Sequence, residues 1–228
     1  MTELEAYTAV VLNGDLGGAR SLALLDGAER IVAADGGANR LAANHRRPSV
    51  VVGDMDSIAP DLLRRLEDEG CRIERHRPNK DETDGELAVR EALVGGGSPS
   101  RALRLVILGA WGGRVDHTLA NVALLAMPEL AAVDAALYDG LTWLRLVRDG
   151  LTLEGSVGDI VSLLPWGGDA VGVTLSGLAY PLVDACLPLG AARGMSNVML
   201  GSAAQVALRA GALLVAHTPR ADLEDEGG

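Results

Sequence analysis

The chain has 228 residues, of which 48% are apolar although phenylalanine is absent and aromatics make up only 3%, so the core of one large or two compact domains has to be built from Leu, Val, Ile and Ala. A formal net charge of -11 excludes a general nucleic-acid binder and a binder of anionic membranes, since both need a basic surface against phosphate. No segment reaches the roughly 18 consecutive apolar residues of a membrane span, and Met1 to Tyr7 carries two glutamates and no basic stretch, so the expectation is a protein neither anchored nor exported.

Over residues 1–140 short apolar runs alternate with helical stretches, the pattern of a parallel sheet flanked by helices. The spacing predicts strands at 8–12, 31–34, 50–52, 72–74, 105–108 and 135–138, and helices at 18–25, 38–43, 60–69, 84–94 and 116–127. The Gly/Ser/Pro stretch at 95–100 reads as a flexible connector inside this domain. From 141 to 218 the pattern changes to short apolar runs at 151–153, 160–164, 172–175, 205–208 and 212–216, broken by Gly, Pro and Asp turns, which predicts a small all-β sandwich. Residues 219–228 read as a solvated acidic tail. The expected fold class is α/β: an N-terminal parallel-sheet domain followed by a C-terminal β-sandwich. Cys71 and Cys186 lie in unrelated contexts without metal-ligand spacing, which points to a reducing cytoplasm.

In an open α/β sheet, ligands bind beyond the carboxyl ends of the strands, so the residues that follow each predicted strand are the candidates. Asp35 follows the second strand, Asp54 and Asp56 the third, and together they suit a hard cation such as magnesium. The competing reading is that these aspartates cap helices or make Asx turns. Lys80, the only lysine in the chain, sits in an acidic run with Asp81, Glu82 and Asp84, where Thr83 or Asp84 is a candidate helix cap. Lys80 has the charge to hold a polyphosphate oxygen, although a solvated charged loop explains the run equally well. Gly109 to Arg114 between a strand and a helix is a candidate phosphate cradle; it lacks the Gly-Lys-Ser/Thr of a Walker A loop and continues instead to Asp116 and His117. Arg114 has the fork geometry for bidentate phosphate contact. Asn13, Gly14 and Asp15 after the first strand form a weaker candidate of the same kind.

These residues, Asp35-Gly36-Gly37-Ala38-Asn39, Gly53-Asp54-Met55-Asp56-Ser57, Lys80-Asp81-Glu82-Thr83-Asp84, Gly112-Gly113-Arg114-Val115-Asp116-His117 and Gly177-Leu178-Ala179-Tyr180-Pro181-Leu182 with Ser196-Asn197, resemble in this order the thiamine pyrophosphokinase (thiamine diphosphokinase) family, over about residues 10–216. The resemblance implies a homodimer with active sites at the subunit interface. It also implies ATP and magnesium held by Asp35, Asp54, Asp56 and Asp84 with Asp81 close by, and an acceptor pocket that includes Ser196 and Asn197. The β domain offers Trp143, Trp166 and Tyr180 as aromatic faces for the acceptor rings.

The reaction so implied is attack of the thiamine hydroxyl on the β-phosphorus of ATP, giving thiamine diphosphate and AMP. On that reading magnesium lies on Asp54, Asp56 and Asp84, and Lys80 and Arg114 steady the polyphosphate together with Gly112, Gly113, Asp116 and His117. Asp81 or Asp35 takes the hydroxyl proton. Two other readings stand beside it: a pyrophosphokinase for another hydroxymethyl heterocycle such as a pterin, and a non-catalytic ATP-binding sensor.

Overall fold

A strand covered on both faces needs a continuous apolar run rather than an alternating one, and the first half of the chain supplies such runs. The computed structural model describes residues 6–94 and 103–226. It divides into two units, 1–140 and 141–228. The connector expected at 95–100 lies outside the described residues.

In the first unit the elements run β1 (Thr8–Val11), α1 (Ala19–Gly27), β2 (Arg30–Ala34), α2 (Gly37–Ala43), β3 (Val50–Gly53), α3 (Pro60–Asp68), β4 (Arg72–Arg75), α4 (Asp84–Val94), β5 (Arg104–Leu108), α5 (Val115–Ala123) and β6 (Asp134–Tyr138). The strands lie side by side in the order β6-β5-β1-β2-β3-β4, and each neighbouring pair is parallel. Every residue of β1 and β3 is buried, as the continuous runs require. Chain order reverses between β1 and β5, which makes the loops at their carboxyl ends the natural ligand crevice.

Helix α4 buries Ala88, Val89 and Ala92 and also carries the buried Glu91. Arg30 of β2 and Arg72 of β4 both reach one oxygen of Glu91, and Arg30 donates a second bond of 3.0 Å to its backbone carbonyl. Burial works to raise the Glu91 carboxyl, but the two guanidinium groups outweigh it and hold the group below its usual range. The helix expected at 116–127 ends earlier, at Ala123, and continues as two 3-10 turns, Leu124–Ala126 and Pro128–Leu130. The break has a local cause: Met127 precedes a proline, which excludes the helical conformation, and it is extended with ψ 132°.

The second unit contains β7 (Trp143–Val147), β8 (Gly150–Glu154), β9 (Ile160–Pro165), β10 (Ala170–Ser176), β11 (Leu182–Leu187), β12 (Asn197–Val198), β13 (Ala203–Ala207), β14 (Leu213–Thr218) and α6 (Arg220–Glu226). Strands β12-β9-β14-β7 lie side by side, as do β11-β10-β13-β8, and the recorded pairings within both sets are antiparallel. Inward residues of both sets, among them Val161, Leu163 and Val215 from one and Val173, Leu175 and Val206 from the other, form one buried cluster. The expected fold class is therefore the observed one.

Three strands of this unit were not expected. In β11 three of the six residues are exposed, so it shows no apolar alternation; β12 has two residues, too few for any period; and four of the five residues of β7 are only partly buried. The final stretch, expected as a tail, carries helix α6, whose first N–H, from Arg220, is accepted by the buried Asp159 carboxylate at 2.9 Å. Among the described residues no helix is long and apolar enough to cross a membrane.

Candidate active site

The carboxylates meet because the ends of β2 and β3 are in step. Ala34 pairs with Val52, and the Asp35 N–H extends the ladder to the Val52 carbonyl at 2.9 Å. Asp35 then turns into the left-handed region, φ 39°, a conformation that aspartate tolerates better than most residues. Its side chain is buried, 3% exposed. One oxygen accepts the Ser57 N–H at 3.0 Å; the other has no hydrogen-bond partner among the described residues. Burial pushes the Asp35 carboxyl above its usual range, Ser57 partly offsets this, and the neighbouring charges of Asp84 and Asp56 push it up further.

After β3 the chain hooks through Gly53 and Met55, both at positive φ (150° and 67°). The hook is closed by the Asp54 carboxylate, which accepts the Asp56 N–H at 3.2 Å. A Cβ on Gly53 would stand 2.9 Å from the Asp35 Cβ and 3.0 Å from an Asp84 oxygen, so glycine is what lets the carboxylates converge. Asp84 arrives from the start of α4, where Thr83 and Glu86 form a reciprocal capping box: the Thr83 hydroxyl accepts the Glu86 N–H at 3.2 Å and the Glu86 carboxylate accepts the Thr83 N–H at 3.0 Å. Asp35, Asp54 and Asp84 each offer an oxygen, and these atoms lie within 4.8 Å of one another. Lys80 donates to Asp84 Oδ1 at 2.7 Å and stands 3.9 Å from Asp54 Oδ2.

This grouping differs from the metal set Asp54, Asp56 and Asp84 expected from the sequence. Asp35 takes the third place, while the exposed Asp56 accepts the Ser57 hydroxyl at 2.8 Å and stands outside the trio. Asp81 is exposed on the loop before α4.

The loops after β1 and β5 pack backbone against backbone. Gly14 N–H donates to the Gly109 carbonyl at 2.9 Å and Asp15 N–H to that of Trp111, and a Cβ on Gly14 would fall 2.1 Å from the Trp111 oxygen. Gly112 and Gly113 follow at φ 125° and 64°. Arg114 grips Asp116 with both arms of its fork, the Nε bond being 3.1 Å, and both side chains are exposed. That grip is the chief cause that holds the Asp116 carboxyl down at about 2. The arrangement makes Arg114 an anion binder whose present anion is a neighbour. His117 is exposed on α5. A small groove of about 210 Å³ adjoins the β1 loop, lined by Asp15, Leu16, Gly18, Leu22, Arg40 and Asn44. Arg40, which sequence reasoning passed over, donates to the Asn13 carbonyl at 3.0 Å; an arginine on the first turns of a helix after a strand was the signal available.

In the second unit Ser196 is exposed at φ 54°, its N–H donating to the Ser162 hydroxyl at 3.0 Å. Asn197 is buried, and its amide is already engaged: Oδ1 accepts the Tyr180 and Val198 N–H groups at 2.9 Å each, and Nδ2 donates to the Tyr180 carbonyl at 2.8 Å. Asn197 therefore holds Tyr180, whose side chain is 70% exposed, beside the Ser196–Asn197 turn. That neighbourhood is invisible in a linear reading, since the bond joins residues 17 apart.

A family model described as thiamin pyrophosphokinase, catalytic domain, matches residues 22–136, and one described as thiamin pyrophosphokinase, vitamin B1 binding domain, matches residues 151–213. Thiamine pyrophosphokinase 1 of Oryza sativa subsp. japonica is 29% identical over 214 residues, covering 85% of this chain and 80% of its own. The thiamine pyrophosphokinase of Bacillus subtilis (strain 168) is 28% identical over 170 residues, covering 74% of this chain and 77% of its own. The crystal structure of thiamine pyrophosphokinase from Bacillus subtilis superposes with a TM-score of 0.78 at 24% identity, covering 93% of this chain and 99% of that one. Yeast thiamin pyrophosphokinase gives 0.75 at 17%, covering 94% and 86%; these two structures share the fold.

Proposed function

This chain belongs to the thiamin pyrophosphokinase family, and on that premise we propose that it transfers the terminal diphosphate of ATP to the hydroxyl of thiamine, releasing thiamine diphosphate and AMP. The observation that carries the reading is the convergence of Asp35, Asp54 and Asp84 within the segment matched by the catalytic-domain model, with one buried Asp35 oxygen left without a partner among the described residues. The pterin acceptor and the ATP sensor are not favoured, since the chain's family and its curated relatives carry the thiamine name.

The donor set fits magnesium, which prefers carboxylate oxygens and keeps places for water and substrate phosphate. Asp54 and Asp84, with Asp35, would hold it; Asp56, two residues after Asp54, stands outside the trio. When bound, it supplies neutralisation of the polyphosphate charge. The remaining work belongs to the chain's own side chains. Lys80 and Arg114 bind phosphate oxygens, and the backbone N–H groups around Gly112 and Gly113 form the cradle. Asp35 is held by Ser57 inside the cluster, which leaves the exposed Asp81 to take the proton of the acceptor hydroxyl. Ser196 and Tyr180 line the acceptor side, with Asn197 fixing Tyr180. Much of the acceleration comes from orientation of two bound reactants, which supplies about 7–11 kcal/mol in favourable cases.

The protein acts as a homodimer with active sites at the subunit interface. Helix α5 supports this: it has no buried residue yet presents Val115 and Leu119, 73% and 59% exposed. Its workplace is the cytoplasm, in keeping with the free Cys71 and Cys186.

The test is AMP release from ATP and magnesium with and without thiamine, with mass detection of the product. Thiamine-dependent AMP with thiamine diphosphate supports the assignment. AMP formed only with a hydroxymethylpterin, or tight ATP binding without AMP, overturns it.

A further inference from the structure

Three carboxylate oxygens within 4.8 Å repel one another, and the protein's own answer to that repulsion is a single ammonium group. Lys80 is the only lysine among 20 basic residues. Its side chain is 13% exposed, with Nζ 2.7 Å from Asp84 Oδ1 and 3.9 Å from Asp54 Oδ2. A lysine head is a compact point charge on a flexible four-carbon stem, nearer in size and charge distribution to a hydrated ion than the planar fork of arginine. It reaches only two of the three carboxylates. Asp35, 3% exposed and within the same 4.8 Å group, keeps one oxygen without a partner among the described residues.

The supports of these groups differ. Asp35 is fixed at a strand end and by the Ser57 N–H, Asp54 by its turn to Asp56, and Asp84 by the capped first turn of α4. Lys80 stands on the loop before α4, and its backbone N–H reaches only two residues back, to the Pro78 carbonyl at 3.1 Å. Of the four charged groups, the ammonium alone rides on a flexible four-carbon stem that rises from a loop.

We propose that Lys80 is a resident counter-cation: its ammonium pairs with Asp84 and Asp54 in the metal-free protein, gives up that position to an entering magnesium ion, and swings to the nucleotide's polyphosphate. The inference rests on the reading of the trio as a magnesium site. The exchange keeps a cation against the carboxylates at every stage. It also couples metal entry to the arrival of the phosphate-binding cation, since one event frees the other.

The unique lysine makes the exchange measurable apart from turnover. The full chain is treated with an amine-selective acylating reagent in EDTA and in magnesium chloride alone, and the rate at Lys80 is read by peptide mass spectrometry against the chain's α-amino group. Magnesium binding is followed in parallel by calorimetry. The expected result is that magnesium speeds Lys80 acylation by about fivefold, as release from an ion pair of ordinary strength predicts. In Lys80→Met the incoming ion has no ammonium to displace, and magnesium binds about tenfold more tightly without nucleotide. Magnesium that binds the wild type without changing Lys80 reactivity overturns the exchange and leaves the proposed reaction standing, as does a Lys80→Met variant with unchanged magnesium affinity. Failure of magnesium to bind either protein overturns the exchange and the metal site together.

Discussion

A side-chain carbon at Gly53 would stand 2.9 Å from the Cβ of Asp35, closer than two such carbons approach in real proteins. The expected outcome of Gly53→Ala is therefore local strain of about 1–3 kcal/mol, from the clash and from φ 150° together, with displacement of Asp35 or Asp84. Urea denaturation measures the first effect, and loss of magnesium binding by calorimetry measures the second. A variant with wild-type magnesium affinity would show that the trio tolerates a wider spacing than the geometry allows.

Asp54 and Asp56 are two residues apart but are expected to differ in effect. Asp54→Asn removes an oxygen charge from the trio and lowers kcat by about 100-fold or more, the scale on which single groups stabilising transition-state charge act. Asp56→Asn, outside the trio and bonded to the Ser57 hydroxyl, has the smaller effect. Steady-state kinetics on the two variants check the order; a reversed order returns Asp56 to the metal set.

Asn197→Ala leaves the Tyr180 N–H and carbonyl without their amide partner, at a cost of about 1–3 kcal/mol in stability. Because Tyr180 loses its anchorage while the phosphate side is untouched, KM for the acceptor rises and KM for ATP stays constant. Equal changes in both constants would mean that Asn197 serves the fold alone.

Glu91 sets a pH dependence of stability. Its carboxyl is held below the usual range in the folded chain, so its contribution is complete above the unfolded value of about 4.3 and disappears as pH falls through the lower folded value. Glu91→Gln removes this dependence: the variant is less stable than wild type at neutral pH, and the difference shrinks below about pH 4. Denaturation at a series of pH values checks the sign, and a difference that grows on acidification would refute it.

The parallel sheet was legible because burial on both faces leaves a continuous apolar run, as in Val50-Val51-Val52, and the strand-end rule then pointed to Asp35, Asp54 and Asp56, while Asp84 came from the acidic run around Lys80. Which three of these four aspartates converge was not legible. It depends on backbone angles at Gly53 and Met55, and periodicity carries no information about a left-handed turn. Strand β11 escaped for a different reason: with Val183 and Asp184 both exposed, its pairing with β10 is backbone bonding that the side chains do not advertise. The Asn197 to Tyr180 link needed two segments brought together by folding. The Asn197 amide acts there as a substitute peptide group, a role that residue type alone does not reveal.

That last link also separates two kinds of change open to this chain. The bonds from Asn197 grip position 180 by its main chain, so the grip is indifferent to which side chain is mounted there. Position 180 is therefore a socket. If Tyr180 faces the acceptor as proposed, exchanging its ring for another group changes that face while the turn and strand β12 keep their places, which gives selection, or a designer, a way to retune acceptor choice one residue at a time.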